Sequence, residues 1–366
     1  MVIAAVLLVI VLGSVVFHLA TPWWTTPLAS NWKTMDDTLT ITVVITGVFF
    51  VAINLFVAYA VWRYRHRAGH RAAYEPENHR LERWLIGITT IGIVGLLAPG
   101  LVVYADYVRP PRDALQLEVV GYQWQWRFRL PGPAGELGGT DVRFISPTNP
   151  LGLDPGDPVG RDNLVIDGGE VYLPVNRPVK VTMRSVDVLH DFFAPQFRAR
   201  MNLVPGQVSS FWFTPTQTGR FEAMCAQLCG LGHSAMRAHV VVVEEAEFLA
   251  WRDKLPTFAS TQAPVAVTGG DPIALGRALA QSKGCVACHS SDGSTSVGPT
   301  WKGLYGKTET LKDGRRLRVD DQFLRDFIRD PKAMSIVGFP PVMPRIELSE
   351  DEIDALVAHI KSLATP

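Results

Sequence analysis

Three apolar stretches at the beginning of the chain constrain its fold more than any other feature. They cover about residues 1–20, 39–62 and 84–104, and each lacks Asp, Glu, Lys and Arg. A helix needs roughly 20 apolar residues to cross a bilayer, and lipid offers its backbone no other hydrogen-bond partner. The sequence therefore predicts a membrane anchor over residues 1–112, with the lipid bilayer as a partner. The first stretch lacks the positive residues and cleavage site of an export signal, so we expect it to be retained.

The segment between the second and third stretches is rich in arginine. It contains three glutamates against six arginines, which are Arg63, Arg65, Arg67, Arg71, Arg80 and Arg83. The segment before the second stretch has Lys33 as its only cation, followed by Asp36 and Asp37. Because positively charged loops stay in the cytoplasm, the residues after about 108 are predicted to lie on the outer face.

The charge balance excludes one class of function. The chain has 35 basic and 35 acidic residues and a formal net charge of zero. Nucleic-acid binding requires a concentrated basic surface. We therefore expect no nucleic-acid partner.

Residues 113–250 have the pattern of an all-β domain. Segments 115–130, 179–185 and 208–214 are rich in β-branched and aromatic residues, and turn-forming residues separate them. This pattern predicts a small antiparallel sandwich or barrel. Residues 131–167 are rich in Gly, Pro and Asp, and we interpret them as an inserted surface loop.

The last part of the chain is predicted to be a small helical domain over residues 271–366, joined by a linker over residues 251–270. The linker is rich in Pro, Ala, Thr and Gly. Asp271 and Pro272 form a good cap and first turn for a helix that reaches Lys283. Ser349 and Glu352 form a capping box for a terminal helix.

The four cysteines form two close pairs, and the first pair lies in a segment rich in soft metal ligands. Two thiols, an imidazole and a thioether occur within twelve residues at Cys225, Cys229, His233 and Met236, and His190 offers a second imidazole upstream. Such ligands select copper. Two thiolates four residues apart on a tight loop can bridge two ions, which leaves no vacant position for a substrate and suits an electron relay.

Three other interpretations of this segment remain open. Copper-delivery proteins also contain a Cys-x-x-x-Cys pair with a distant histidine, Cys/His sets bind structural zinc, and paired cysteines form disulfides in exported proteins. Met236 argues against zinc because a thioether is a poor zinc ligand.

The second pair is part of the sequence Cys285-Val-Ala-Cys288-His289, which is typical of covalent haem c attachment. The thiols add to the haem vinyl groups and the histidine binds the iron. Methionine is a common sixth ligand, and Met343 lies in a proline-rich loop before the terminal helix. Met334 is the competitor, but it follows a predicted helix over residues 321–330 and is also suited to core packing.

These residues carry a family resemblance. The Cys225–Met236 segment, His190, the GYQWQWRF segment and the preceding helical hairpin resemble subunit II of cytochrome c oxidases over about residues 35–250. The resemblance implies a cupredoxin-like barrel that holds the binuclear copper centre CuA. The implied ligands are the bridging thiolates of Cys225 and Cys229, the imidazoles of His190 and His233, the thioether of Met236 and the backbone carbonyl of Gln227.

The resemblance also implies roles outside the copper ligands. Trp124 resembles the tryptophan at which electrons enter this family, and Glu82 resembles a carboxylate at the mouth of a proton channel. Gln227 stands where many members have a glutamate that helps to bind magnesium at the boundary with subunit I, which weakens the expectation of magnesium here. The C-terminal helices are similar to those of class I cytochromes c, and their fusion to subunit II is the hallmark of caa-type oxidases.

The resemblance thus implies a multi-pass subunit of a proton-pumping terminal oxidase in a bacterial inner membrane. Electrons from cytochrome c or another respiratory donor would enter at haem c, pass to CuA and cross to the haem of catalytic subunit I, where oxygen is reduced. The chain itself would not bind oxygen, and other oxidase subunits would accompany it. The alternatives are a CuA subunit of a nitric oxide reductase and a copper carrier.

Overall fold

A computed structural model describes residues 2–21, 26–71, 76–146, 149–167, 169–262, 271–293 and 297–364. The chain forms two compact units, Met1–Arg109 and Pro110–Pro366. The first unit contains the predicted anchor. The second contains both the β domain and the C-terminal domain.

The first unit consists of three helices, α1 (Val2–Ala20), α2 (Lys33–Arg63) and α3 (His79–Tyr107). All three are long and apolar enough to cross a membrane, and most of their large apolar side chains are exposed. Polar turns extend α2 and α3 beyond the apolar stretches in the sequence. Lys33 forms an ion pair with Asp37 in the first turn of α2, and the side chain of Asn78 caps α3 by accepting a hydrogen bond from the amide of Leu81 at 3.1 Å. These helices indicate membrane anchoring, as predicted.

The β domain is a sandwich of two five-stranded sheets. The first has the order β3-β2-β1-β5-β8 and the second has the order β4-β10-β9-β6-β7. The strands are β1 (Leu115–Tyr122), β2 (Gln125–Leu130), β3 (Leu164–Asp167), β4 (Glu170–Pro174), β5 (Val179–Ser185), β6 (His190–Ala194), β7 (Ala199–Leu203), β8 (Ser209–Phe213), β9 (Gly219–Cys225) and β10 (Arg237–Val243).

Alternating side chains build the core of this sandwich. In β5, Val179, Val181 and Met183 are fully buried while the residues between them are not, as a strand with one buried face requires. β5 pairs in parallel with β1 and antiparallel with β8, so its buried face continues across the first sheet. The predicted cupredoxin-like class is confirmed, but the expectation of a purely antiparallel arrangement is wrong, because β1 pairs with β5 and β4 pairs with β10 in parallel.

The prediction of a surface loop over residues 131–167 is wrong in part. The segment contains the short helix α4 (Pro158–Arg161) and strand β3, and residues 147–148 lie outside the described part of the chain. Leu151 and Leu153 are 1% and 0% exposed. They form a small second core with Val120, Val165 and Phe258. The Gly- and Pro-rich composition conceals these two leucines, whose burial supplies a driving force for folding the segment onto the sandwich.

A buried charge network fixes the same segment to the sheet. Glu118 of β1 is 3% exposed and accepts hydrogen bonds from Arg129 and Arg184, each at 2.8 Å. The two arginines also donate to the insertion: Arg129 to the side-chain oxygen of Asn163 at 2.9 Å and Arg184 to the carbonyl of Leu151 at 3.0 Å. These two cations lower the pKa of Glu118 although its burial opposes ionisation.

The predicted linker starts later than expected. Residues 245–252 form helix α5 (Glu245–Arg252), and helix α6 (Phe258–Thr261) follows within the predicted linker. Phe258 is 3% exposed in the second core, and Thr257 bridges Leu164 of β3. Residues up to about 262 therefore belong with the β domain. Residues 263–270 lie outside the described part of the chain, and the remaining domain boundaries stay predictions.

The C-terminal domain contains helices α7 (Pro272–Ser282), α8 (Asp321–Arg329) and α9 (Glu350–Ser362). The predicted caps are present: Asp271 accepts from the amide of Ile273 at 3.0 Å, and Ser349 and Glu352 form the capping box. Helices α7 and α9 cross at Gly276, where an added Cβ would lie 1.9 Å from the carbonyl oxygen of Ala355. A hairpin of β11 (Thr308–Thr310) and β12 (Arg316–Arg318) adds strands that the helical prediction lacked.

Candidate functional site

The predicted copper ligands lie at one end of the second sheet, beside its interior strands β6, β9 and β10. Cys225 ends β9, and the loop after it returns to β10 through a 3₁₀ turn at His233–Ala235. The amide of Cys225 donates to the carbonyl of Met236 at 3.0 Å, which closes the loop. The amide of Ala226 donates to the carbonyl of Asp191 at 3.0 Å and so joins the loop to β6, which begins at His190.

The six predicted donor groups converge. The sulfurs of Cys225 and Cys229 are 3.8 Å apart, Nδ1 of His190 lies 3.9 Å from the first and Nδ1 of His233 lies 3.6 Å from the second. The remaining two donors complete the group: the carbonyl oxygen of Gln227 is 3.2 Å from the Cys225 sulfur, and the Met236 sulfur is 3.9 Å from that of Cys229. A disulfide requires about 2.05 Å, so these thiols are free.

The chemistry of this donor set fits copper. His190 and Met236 are fully buried, and Cys225 and Cys229 are 7% and 5% exposed. Two thiols, two imidazoles and a thioether are soft ligands, which copper prefers over hard cations such as magnesium or calcium. The spacing of the sulfurs leaves room for ions between them. The site is therefore suited to a buried copper centre.

The two thiols differ in acidity in the absence of a metal. Burial opposes ionisation of Cys225, but hydrogen bonding to His190 and to the backbone outweighs it and lowers the pKa of this thiol. Burial and the neighbouring Cys225 raise the pKa of Cys229. Because a metal binds thiolates, loading this site must release at least the proton of Cys229.

Asp187 orients His190. Its Oδ1 accepts from Nε2 of His190 at 2.9 Å, and its Oδ2 accepts from the amide of Gln123 at 2.6 Å. Burial lowers the pKa of His190, but hydrogen bonding to Asp187 and Cys225 outweighs it and raises the pKa to about 8. A proton held on Nε2 leaves Nδ1 directed at the sulfurs as a metal donor. Sequence reasoning missed Asp187, and its only signal was an acid three residues before the histidine.

Trp124 lies directly on the copper loop. Its indole Nε1 donates to the carbonyl of Cys229 at 3.1 Å, and the side chain of Gln123 donates to the same oxygen at 2.7 Å. The ring packs against the backbone of Gly230 and Gly232. The structure therefore places the predicted tryptophan in contact with the predicted ligand loop.

The second site is built around His289. Its amide donates to the carbonyl of Cys285 at 3.0 Å, and its Nδ1 donates to the carbonyl of Pro299 at 2.8 Å. Its ring stacks on Trp301 with a centroid distance of 5.3 Å. The hydrogen bond fixes the proton on Nδ1, which leaves the lone pair of Nε2 for iron. Burial lowers the pKa of His289, which also favours the neutral ring that a metal needs.

A largely apolar cavity opens at this histidine. Cys285, Cys288, Met334 and Met343 line it. Two free thiols and an imidazole at the wall of an apolar cavity fit a covalently attached haem. Met334 also packs against the helical core, whereas Met343 lies outside that core cluster. Met334 therefore has a packing role that Met343 lacks, and the assignment of Met343 as the sixth ligand stays a prediction.

The same cavity is lined by residues of the β domain. Tyr122, Gln123 and Trp124 face it from the segment that touches the copper loop. Gly284, just before the first haem cysteine, approaches the side chain of Gln125 so closely that an added Cβ would lie 3.1 Å from its amide nitrogen. Trp124 therefore lies between the two candidate cofactor sites.

Glu82 belongs to the first unit and is described there alone. It lies in the first turn of α3 with its side chain 56% exposed, and its carboxylate is 3.3 Å from Nδ1 of His79. Its role at a proton channel stays a prediction.

Comparison with known proteins gives matches for both outer domains. Residues 115–245 match the family described as "Cytochrome C oxidase subunit II, periplasmic domain", and residues 273–364 match the family "Cytochrome c". The two families support copper and covalent haem as the cofactors, and the first supports a periplasmic β domain.

Individual relatives carry the same description as the first of these two families. The "Alternative cytochrome c oxidase subunit 2" of Bradyrhizobium diazoefficiens is 53% identical over 259 residues, which cover 71% of this chain and 94% of that protein. The "Cytochrome c oxidase subunit 2" of Cereibacter sphaeroides is 28% identical and covers 62% and 77% of the two chains. That of Alkalihalophilus pseudofirmus is 29% identical and covers 54% of each. The chain belongs to the cytochrome c oxidase subunit II family.

Proposed function

We propose that this chain is the subunit through which electrons enter a haem–copper terminal oxidase. When bound, the two cofactors supply a relay in which electrons pass from haem c to CuA and on to the haem of catalytic subunit I. The observation that carries this proposal is the convergence of two thiols, two imidazoles, a thioether and one backbone carbonyl oxygen in a largely buried site. Six such donors would fill the coordination positions of a copper centre and leave none for a substrate. The chain therefore serves the oxidase as a conductor, and oxygen reduction belongs to subunit I.

The protein residues have separate tasks at the two sites. The thiolates of Cys225 and Cys229, the imidazoles of His190 and His233, the thioether of Met236 and the carbonyl of Gln227 would hold CuA. We assign Cys285 and Cys288 to the covalent attachment of haem c, and His289 and Met343 to its iron. Burial of Cys225, Cys229, His190 and Met236 keeps water away from most of the copper ligands, and this limits the solvent reorganisation that accompanies a change of charge.

Trp124 is proposed to connect the two sites. Its indole faces the cavity of His289 and donates a hydrogen bond to the carbonyl of the copper ligand Cys229. From the indole to the sulfur of Cys229, this arrangement offers an electron a path of covalent bonds and one hydrogen bond. Because the haem domain is part of the same chain, transfer from haem c to CuA is intramolecular and does not depend on the concentration of a separate carrier.

The partners and the location follow from the same assignment. We propose that the anchor binds subunit I and other oxidase subunits in a bacterial inner membrane, with both cofactor domains on the periplasmic side. Cytochrome c or another respiratory carrier would deliver electrons to haem c. Glu82 would serve the mouth of a proton channel, and a magnesium ion held by the neutral side chain of Gln227 is not expected.

Purification of the membrane complex tests this proposal. We expect two coppers and one haem c per chain, an EPR spectrum of one electron shared by two coppers, and co-purification of a haem–copper catalytic subunit that reduces oxygen. Copper bound as single, exchangeable ions would indicate a copper carrier instead. A catalytic subunit that reduces nitric oxide and not oxygen would assign the relay to a nitric oxide reductase.

A further inference from the structure

The indole of Trp124 packs against Gly232, whose backbone conformation does not require glycine. Gly232 has φ −85°, which any residue can adopt. A Cβ at this position would lie 2.4 Å from Cδ2, 2.6 Å from Cγ and 2.7 Å from Cε3 of Trp124. Position 232 therefore has no room for a side chain, because the indole of Trp124 occupies that space.

The neighbouring Gly230 differs in this respect. Its φ of +120° restricts the position to glycine whatever surrounds it, and an added Cβ would lie 3.0 Å from Cζ2 of Trp124. Gly230 thus shapes the loop, whereas Gly232 provides the surface on which the ring lies. Of the two glycines, Gly232 allows the close approach of the ring to be tested without changing the backbone.

Several contacts prevent the indole from moving away freely. Its Nε1 is bonded to the carbonyl of Cys229, and Gln123 is bonded through its side chain to that carbonyl and through its amide to Asp187. The backbone next to Trp124 is therefore attached to the copper loop and to the residue that orients His190. Displacement of the ring must break the hydrogen bond of Nε1 before it can relieve a clash with position 232.

We propose that Gly232 is a positioning residue that holds the indole of Trp124 against the copper loop and so preserves the contact between Trp124 and Cys229. The inference rests on the proposed function, in which Trp124 connects the two sites. Ordinary van der Waals contact begins at 3.4 Å, so a methyl group at position 232 must move the ring by about 1 Å. We expect the effect on electron transfer, because the atoms that an added methyl group would meet first belong to the ring of Trp124 and not to a copper ligand.

The test compares Gly232→Ala with Ser234→Ala in the purified complex. Ser234 is exposed on the same loop, and its replacement removes one hydroxyl from solvent. Haem c is reduced rapidly, and the oxidation of haem c by CuA is followed by absorbance. Because the displaced indole loses its direct contact with the Cys229 carbonyl, we expect Gly232→Ala to slow this transfer several-fold. Ser234→Ala should transfer electrons at the wild-type rate.

Two further measurements separate positioning from damage to the copper site. The EPR spectrum and copper content of Gly232→Ala should equal those of the wild type, and a cryo-EM structure of the variant complex should show the indole displaced, with Nε1 beyond hydrogen-bond distance of the Cys229 carbonyl. In a Trp124→Ala background, Gly232→Ala should slow transfer no further, because residues that act through one another are not additive.

The outcomes are distinct. A wild-type transfer rate in Gly232→Ala, or an equal additional loss in the Trp124→Ala background, overturns the inference and leaves the proposed function intact. Absence of any transfer from haem c to CuA in the wild-type complex overturns the proposed function itself.

Discussion

Asp187 and His190 form the hydrogen bond that sets the direction of the imidazole at the copper site. Oδ1 of the carboxylate is 2.9 Å from Nε2, and Nδ1 on the other side of the ring points to the sulfur of Cys225. Partners of this kind hold a metal-binding histidine in one tautomer and raise its basicity. Asp187 is therefore a part of the copper site although it does not reach the metal.

Asp187→Asn should weaken copper binding. The variant keeps the shape of the side chain but removes the negative charge that supports the His190 proton, and loss of such a partner typically costs about 10–100-fold in metal affinity. Competition with a copper chelator measures the effect. Glu245→Gln, which removes one partner of an exposed ion pair with Arg177, is the control and should bind copper like the wild type. Equal affinity in Asp187→Asn would show that the imidazole is oriented by other contacts.

The two candidate methionines at the haem should respond differently to substitution. Met343→Ala should remove the sixth iron ligand, convert the haem to a high-spin form and lower its reduction potential. Met334→Ala, at the edge of the helical core, should leave the haem spectrum unchanged and lower only the stability of the domain, by about 2–5 kcal/mol if the site does not collapse. Absorption spectroscopy and redox titration distinguish the two variants. The opposite pattern would assign the ligand to Met334.

Replacement of Glu118 should destabilise the β domain. Glu118→Gln leaves Arg129 and Arg184 without their anion, and breaking a buried ion pair costs about 3–5 kcal/mol. The urea concentration at which the CuA absorption disappears measures the loss. Glu170→Gln breaks an exposed pair with Arg220 and should cost at most about 1 kcal/mol. Since the pKa of Glu118 is lowered by folding, its contribution is present above the ordinary value of 4.5 and is lost as the pH falls below it.

His359 should make the haem domain sensitive to mild acid. It is 4% exposed on α9 against Trp301, and its Nδ1 has no hydrogen-bond partner among the described residues. Burial, assisted by the charge of Arg277, lowers its pKa from the ordinary value of 6.5. The unfolded chain then binds the proton more tightly, so stability is retained above pH 6.5 and falls below it, by at most about 1.4 kcal/mol per pH unit.

His359→Phe tests this prediction because it keeps a ring beside Trp301 and removes the titrating group. Urea unfolding of the haem domain, followed by the haem c absorption at several pH values, should show a weaker loss of stability in acid than the wild type shows. The same pH dependence in both proteins would assign the acid sensitivity to other groups.

The proposed ligand residues could be predicted from the sequence, but several residues that position them could not. The ligands at Cys225 and His190 were predictable because metal chemistry restricts residue type and spacing, and the capping box at Ser349 because a cap is a local pattern. The roles of Asp187 and Gly232 were not predictable, because they depend on the side chains that the fold brings next to them. A carboxylate and a small residue are common in loops, and only the distances to His190 and Trp124 distinguish them.

The second core was hidden for a related reason. Leu151 and Leu153 lie in a segment whose glycines and prolines are typical of a loop, and Phe258 lies more than a hundred residues later in a segment with the composition of a linker. A contact between two irregular segments has no periodicity. Local pattern therefore gives no indication of it.

The burial of Phe258 limits the length of the segment that connects the β domain to the haem domain. With residues up to about 262 fixed to the sandwich, only the eight residues 263–270 remain to span the distance to α7, and a chain of that length reaches at most about 30 Å. The start of the haem domain therefore stays within about 30 Å of the end of α6, whichever carrier delivers its electrons. A substitution that releases Phe258 from its core would lengthen this connecting segment without adding a residue. The effective concentration of haem c at the copper site would then fall.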